Sequence, residues 1–215
     1  MSVIKQIEAS LSPYMCEQGF SRHGTFFDRI QHNMAFCIEI EATPSAIHMN
    51  YYVMPLYLPC ENRYVTYGNR TDCLKNDPAH KPLSRDANTD EIARWCAEGV
   101  SLLREVILPF FNSIDTPRKL REFIKSRKAS SYFFCPKVYI HRLMSFTDLF
   151  LQDSSAGAQS LRAYRHAIRK NNFLTEEVRD RLWQEAETLE RLFSAPPKKT
   201  AIYFETIVAH SLQLL

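Results

Sequence analysis

The chain has 215 residues, 45% hydrophobic and 24% charged, with a formal net charge of +3 and a mean hydropathy of -0.30. These values exclude a fibrous or disordered chain, and the length suits one large or two small units with a real core. No apolar run approaches the roughly 20 residues that cross a bilayer, and Met1–Glu8 mixes charged with apolar residues, so a cytoplasmic protein without a membrane partner is expected.

Ile4, Ile7, Leu11 and Met15 recur at helical spacing, which predicts a first helix over residues 2–18. Pro13 is expected to break or restart it, and Gly19 to stop it. Strands follow. Residues 25–31 are rich in aromatics but alternate poorly. Residues 34–41 alternate cleanly, with Met34, Phe36, Ile38 and Ile40 opposed to Ala35, Cys37, Glu39 and Glu41. Residues 47–53 set Ile47, Met49, Tyr51 and Val53 against His48, Asn50 and Tyr52. Period-2 patterning of this kind marks strands with one buried and one wetter face. Turns fall at 31–33 and at Thr43-Pro44-Ser45, a fourth strand at 63–67 ends on Gly68-Asn69, and the short connections make the sheet antiparallel.

Residues 71–88 lack periodicity and predict a long surface loop. Asn88 and Glu91 then offer a capping box for a helix that Pro109 helps to end. Thr116-Pro117 starts another as N-cap and first helical residue. Beyond Ser131 the pattern is helical throughout, over about 138–151, 159–170, 176–193 and 200–212, with Pro196-Pro197 as a short hinge. The expectation is an α+β fold: an N-terminal helix and a four-stranded antiparallel meander in residues 1–115, packed closely by a helical region in residues 116–215.

Charge is spread unevenly. Residues 116–170 hold 12 Lys and Arg against 3 Asp and Glu, whereas 71–115 hold 5 against 8 and 171–215 hold 5 against 7. Such asymmetry points to a partner. The six cysteines stand singly at 16, 37, 60, 73, 96 and 135, with no zinc spacing, and read as small buried hydrophobes. No phosphate loop, nucleophile elbow or His-Glu-x-x-His motif is present, so neither a cofactor nor a metal is expected.

Gly19-Phe20, Phe26-Phe27-Asp28-Arg29, the paired strands, Met54-Pro55-Leu56-Tyr57-Leu58-Pro59 and Tyr67-Gly68-Asn69-Arg70 together resemble a family of small bacterial α+β domains of unknown function. Leu108-Pro109-Phe110-Phe111-Asn112-Ser113-Ile114 and Thr116-Pro117 extend the resemblance over residues 1–126. It implies an α-β-β-β-β-α core and no activity; toxin immunity enters only by analogy with domains of this sort.

Two sets of residues are candidates for contact with a partner. His48, Asn50 and Tyr52 line the wetter strand face, beside Cys37, Glu39 and Glu41; a Cys37–His48–Glu arrangement would make a cysteine-dependent hydrolase, the weakest of the readings. Arg118, Lys119, Arg121, Lys125, Arg127 and Lys128 crowd one short helix, followed by Tyr132, Phe133 and Phe134, whose rings could stack on bases, and Arg165 and Arg169 lie on another. The plain alternative makes these arginines a solvated face paired with downstream acids, with Phe123, Phe133 and Phe134 in the core. The leading expectation is a non-enzymatic bacterial protein-binding module of toxin-immunity type that takes an acidic protein partner. Its rival is a nucleic-acid-associated protein using the basic helices.

Overall fold

A computed structural model describes residues 2–63, 67–74, 80–126 and 132–215. Helix α1 (Val3–Glu17) is capped by Ser2, whose Oγ accepts from the Lys5 N–H, and it buries Ile7, Leu11 and Met15. Pro13 sits inside it without a break, so the expected interruption does not occur. A proline forfeits one bond, here to the Ala9 carbonyl, and neighbouring turns carry the helix through. Gly19 closes α1 at φ +80°, with the N–H groups of Phe20 and Gly19 returning to Met15 and Cys16. This is the left-handed helix end that glycine permits.

The sheet has five strands in sequence order, β1 (Ser21–His23), β2 (Phe26–Gln31), β3 (Met34–Ala42), β4 (Ile47–Pro55) and β5 (Tyr67–Arg70), each antiparallel to the next. The short edge strand β1 is additional to the expected four. Gly24, at φ +61°, turns the chain so that Arg22 meets Phe27. Between β2 and β3 a two-residue turn places His32 and Asn33 at φ 50° and 61°, the twist a tight hairpin needs. The turn before β4 is closed by Thr43, whose Oγ1 accepts from the Ala46 N–H.

The last strand lies later than expected. It begins at Tyr67, Arg63 is outside it, and residues 64–66 are outside the described set. Gly68 belongs to its interior rather than its end, because a Cβ there would lie 2.0 Å from the Tyr51 carbonyl oxygen. The expected surface loop at 71–88 is likewise partly internal. Leu83 bridges to Ile47, and buried His80 donates to or accepts from Thr71 Oγ1 at 3.2 Å and meets the Trp95 carbonyl at 2.9 Å. Residues 75–79 are outside the described set.

Helix α2 (Thr89–Leu102) starts on the expected capping box, with Asn88 accepting from Asp90 and Glu91 and Glu91 accepting from the Asn88 N–H. Pro109 does not end this helix. A wider π turn (Leu103–Ile107), closed by Leu108 N–H to Leu103 O, leads straight into α3 (Leu108–Ser113). Proline lacks the N–H that the next α-helical bond requires, and the wide turn absorbs that loss. Helix α4 (Pro117–Lys125) begins on Thr116, as expected.

The remaining helices are α5 (Lys137–Phe150), α6 (Ser154–Lys170), α7 (Glu176–Phe193) and α8 (Pro197–Gln213). Pro196 is the N-cap of α8 and Pro197 its first residue, so the expected hinge is a helix start. Asp153 ties the α5–α6 corner together: its N–H returns to Asp148 O and its Oδ1 accepts from the Ala156 N–H.

One face of the sheet carries the core. Phe36, Tyr51 and Val53 meet α1 and α2–α3, with the Phe36 and Phe111 rings 5.1 Å apart. The same apolar cluster continues through Leu143, Phe146, Tyr164, Leu189 and Phe204 of the later helices. It therefore runs without a seam across residue 115.

Candidate functional site

The second face of the sheet is polar but not wet. Register pairs Glu41 with His48, Glu39 with Asn50, and Cys37 with Tyr52, while Asp28 of β2 lies opposite Cys37. Asn50 is only 3% exposed and Tyr52 only 1%; His48 is also buried. The chain returns over this face in two places. Arg63 stacks its guanidinium 4.0 Å from the Phe26 ring centre, pairs with Asp28, and donates to Tyr52 Oη at 3.3 Å and to the Leu215 oxygen at 3.2 Å. Val208, Leu214 and Leu215 cover the apolar end formed by Ala35, Cys37, Tyr52 and Met54.

His48, Asn50 and Tyr52 are thus removed from the surface on which a partner contact was expected. Asn50 Nδ2 donates to Glu39 and Glu41 at 3.2 and 3.1 Å, and Arg70 donates to Glu41 at 3.2 Å. His48 Nδ1 lies 3.6 Å from Asp72 Oδ2, beyond hydrogen-bond reach.

Cys37 and His48 share this face, yet the Glu39–Asn50 pair stands between the Cys37–Tyr52 and Glu41–His48 pairs. A base must come within about 3 Å of the proton that it removes, and the register does not bring these two together. Burial, followed by the Asp28 charge, pushes the Cys37 thiol well above its usual range. A thiol held protonated is a poor nucleophile. Of the other cysteines, Cys96 is buried, while Cys16 and Cys73 are exposed, against the expectation that all are buried. Among the described residues, no group of three or more His, Cys, Asp or Glu side chains is placed to hold a metal ion.

The basic helices divide into spent and unspent cations. Arg121 is mostly buried and bridges Asp148 at 3.2 Å and Asp153 at 2.9 Å, clamping α4 to the α5–α6 corner. Arg165 makes a bidentate pair with Glu190 at 2.8 and 2.7 Å. Arg142 is buried, donates to both Glu185 oxygens at 2.7 and 2.6 Å and to the Pro59 carbonyl, while Tyr164 donates to the same carboxylate. Of the arginines expected to pair with downstream acids on a solvated face, Arg165 does so with Glu190. Lys119 pairs with Asp115 and Lys125 with Glu122 along the chain.

Arg118 is exposed beside an open cleft of about 840 Å³ between α3 and α4, floored by Phe110, Phe123 and Tyr132. A second, apolar concavity of about 430 Å³ lies between α8 and the end of α5, lined by Phe150, Phe204, Val208 and Leu212. Arg169 is exposed, its guanidinium 5.0 Å from the Trp183 ring. Arg162, His166 and Lys170 stand beside it on the solvent side of α6, and Lys137 is exposed at the start of α5. Arg127 and Lys128 lie outside the described residues.

Sequence reasoning left one aromatic open here and missed another. Phe134, read with Phe133 as either a stacking ring beside the basic helix or part of the core, is 82% exposed, whereas Phe133 is 5% exposed. Phe173, between α6 and α7, is 98% exposed and had no sequence signal beyond its loop position.

No protein-family profile matches this sequence, and neither a curated protein nor a solved structure is significantly similar to it. Among the described residues, no helix is long and apolar enough to cross a membrane.

Proposed function

We propose that this is a non-enzymatic protein-binding module, which acts in the bacterial cytoplasm by covering an acidic partner in the manner of an immunity protein masking a toxin. The observation that carries this reading is a group of exposed cations on the solvent side of α5–α6, Lys137, Arg162, Arg169 and Lys170, which form no ion pair among the described residues. Asp28, Glu39 and Glu41 of the polar sheet face are engaged instead by Arg63 and Asn50, and Cys37 and His48 are buried and held apart by the Glu39–Asn50 pair. Six unpaired thiols fit a reducing compartment.

Nucleic-acid binding is the second reading, favoured by exposed aromatics beside cations. Against it stands the internal use of Arg121 and Arg165, which removes two charges from the phosphate-binding track that it requires.

The test is a photo-crosslinking amino acid placed in cells at exposed positions 94, 118, 134, 166 and 173. A protein adduct of constant mass from clustered positions is the expected result. Adducts to RNA, or none at any position, would remove the reading.

A further inference from the structure

The α5–α6 hairpin has an open end, and both nearly fully exposed phenylalanines flank it. Helix α5 leads into α6 through residues 151–153, so the start of α5 and the end of α6 lie side by side. Phe134 stands three residues before Lys137, and Phe173 three residues after Lys170. Between them, Lys137 and His166 are close enough to His141 to depress its protonation, added to the larger effect of burial.

The backbone that carries these rings is held rather than frayed. The Phe134 N–H donates to Gly68 O at 2.8 Å, anchoring its backbone to the free edge of β5. The Phe173 N–H donates to Asn171 Oδ1 at 2.9 Å, and Arg179 donates to the Asn171 carbonyl at 3.3 Å. Burying a phenylalanine side chain is worth about 1.5–3 kcal/mol, so two anchored rings left in water are suited to burial by something else. Aromatic side chains, phenylalanine among them, are enriched in interface centres.

Charge chooses the class of partner. The start of α7 follows Phe173 within three residues and carries Glu176, Glu177 and Asp180, all exposed. A nucleic-acid strand or an anionic bilayer would meet those carboxylates after the cations, and single-strand binders use an uninterrupted basic track. A protein surface with a compact acidic centre has no such conflict.

We infer that Phe134 and Phe173, with Lys137, His166 and Lys170 between them, form the contact centre for an acidic protein segment that carries aliphatic side chains. This rests on the protein-binding reading above and adds its location and chemistry.

The test is a titration of the full chain, followed by amide NMR, with an end-blocked peptide in which pairs of leucines are separated by glutamates. Controls are the same peptide with lysine for glutamate, an oligothymidine and phosphatidylserine vesicles. The expected result is shifts confined to the amides around 134–141 and 166–173, with affinity falling tenfold or more in F134A/F173A and a smaller fall in K137E. Shifts elsewhere, unchanged affinity in the double variant, no binding, or tighter binding of the oligonucleotide or vesicles would each overturn it. If crosslinks to a protein arise at 94 or 118 while this titration fails, the location is wrong and the protein-binding reading stands.

Discussion

The polar face of the sheet and the open end of the α5–α6 hairpin invert each other. The first holds a thiol, a histidine, three carboxylates and two arginines, yet the chain folds back over most of them and pairs them internally. The second holds ordinary cations and two phenylalanines, and leaves them in water. Reactive residue types alone therefore do not locate a site. Accessibility after internal pairing does, because a group already desolvated and paired has little free energy left to offer a partner.

The contrast between spent and unspent groups breaks most sharply at Arg142. Removing one partner of a buried ion pair leaves an uncompensated charge, so Arg142→Ala should cost about 3–5 kcal/mol in chemical denaturation and strand Glu185 beside Tyr164. A loss below about 1 kcal/mol, the scale of an exposed pair, would place Arg142 among the unspent cations.

Acid should act next. Burial depresses protonation of His80, and burial with Lys137 and His166 does the same for His141. A histidine kept neutral by the fold contributes fully above its unfolded value of about 6.5, and that contribution is lost as pH falls toward the depressed native value. Stability followed from pH 7.5 to pH 5 should decline, and His80→Gln should flatten the decline; an equal slope in the variant would show that His80 titrates as it does unfolded. The smallest effect belongs to the open end. Phe173→Ala should leave stability within about 0.5 kcal/mol, as surface changes do, and a larger drop would mean the ring already has a partner in the fold.

Local signals were legible in the sequence wherever neighbouring residues decide the outcome. Asn88 with Glu91, Thr116 with Pro117, and the alternation of 34–41 and 47–53 each appear in the structure where their chemistry places them. What was not legible depends on distant chain. Alternation identified a second face, but nothing near His48 or Tyr52 tells that Arg63 and Leu215 return over that face. Arg121 and Arg118 are indistinguishable as entries in a basic run; the first meets Asp148 and Asp153 only after α5 and α6 have folded back. Pro13, expected to break or restart its helix, and Pro109, expected to help end its own, mislead for the opposite reason, since the helix tolerates a missing donor at each.

The π turn before Pro109 acts as a phase adjuster between two rigid rods. Each residue advances an α-helix by about 100°, so the extra residue in 103–107 rotates everything after it relative to α2. That rotation lets Trp95 and Leu102 on one side and Phe110 and Phe111 on the other all reach the same cluster. A chain shortened by one residue at this turn would make a straighter helix, swing Phe111 away from Phe36, and turn the aromatic floor beside Arg118 with it.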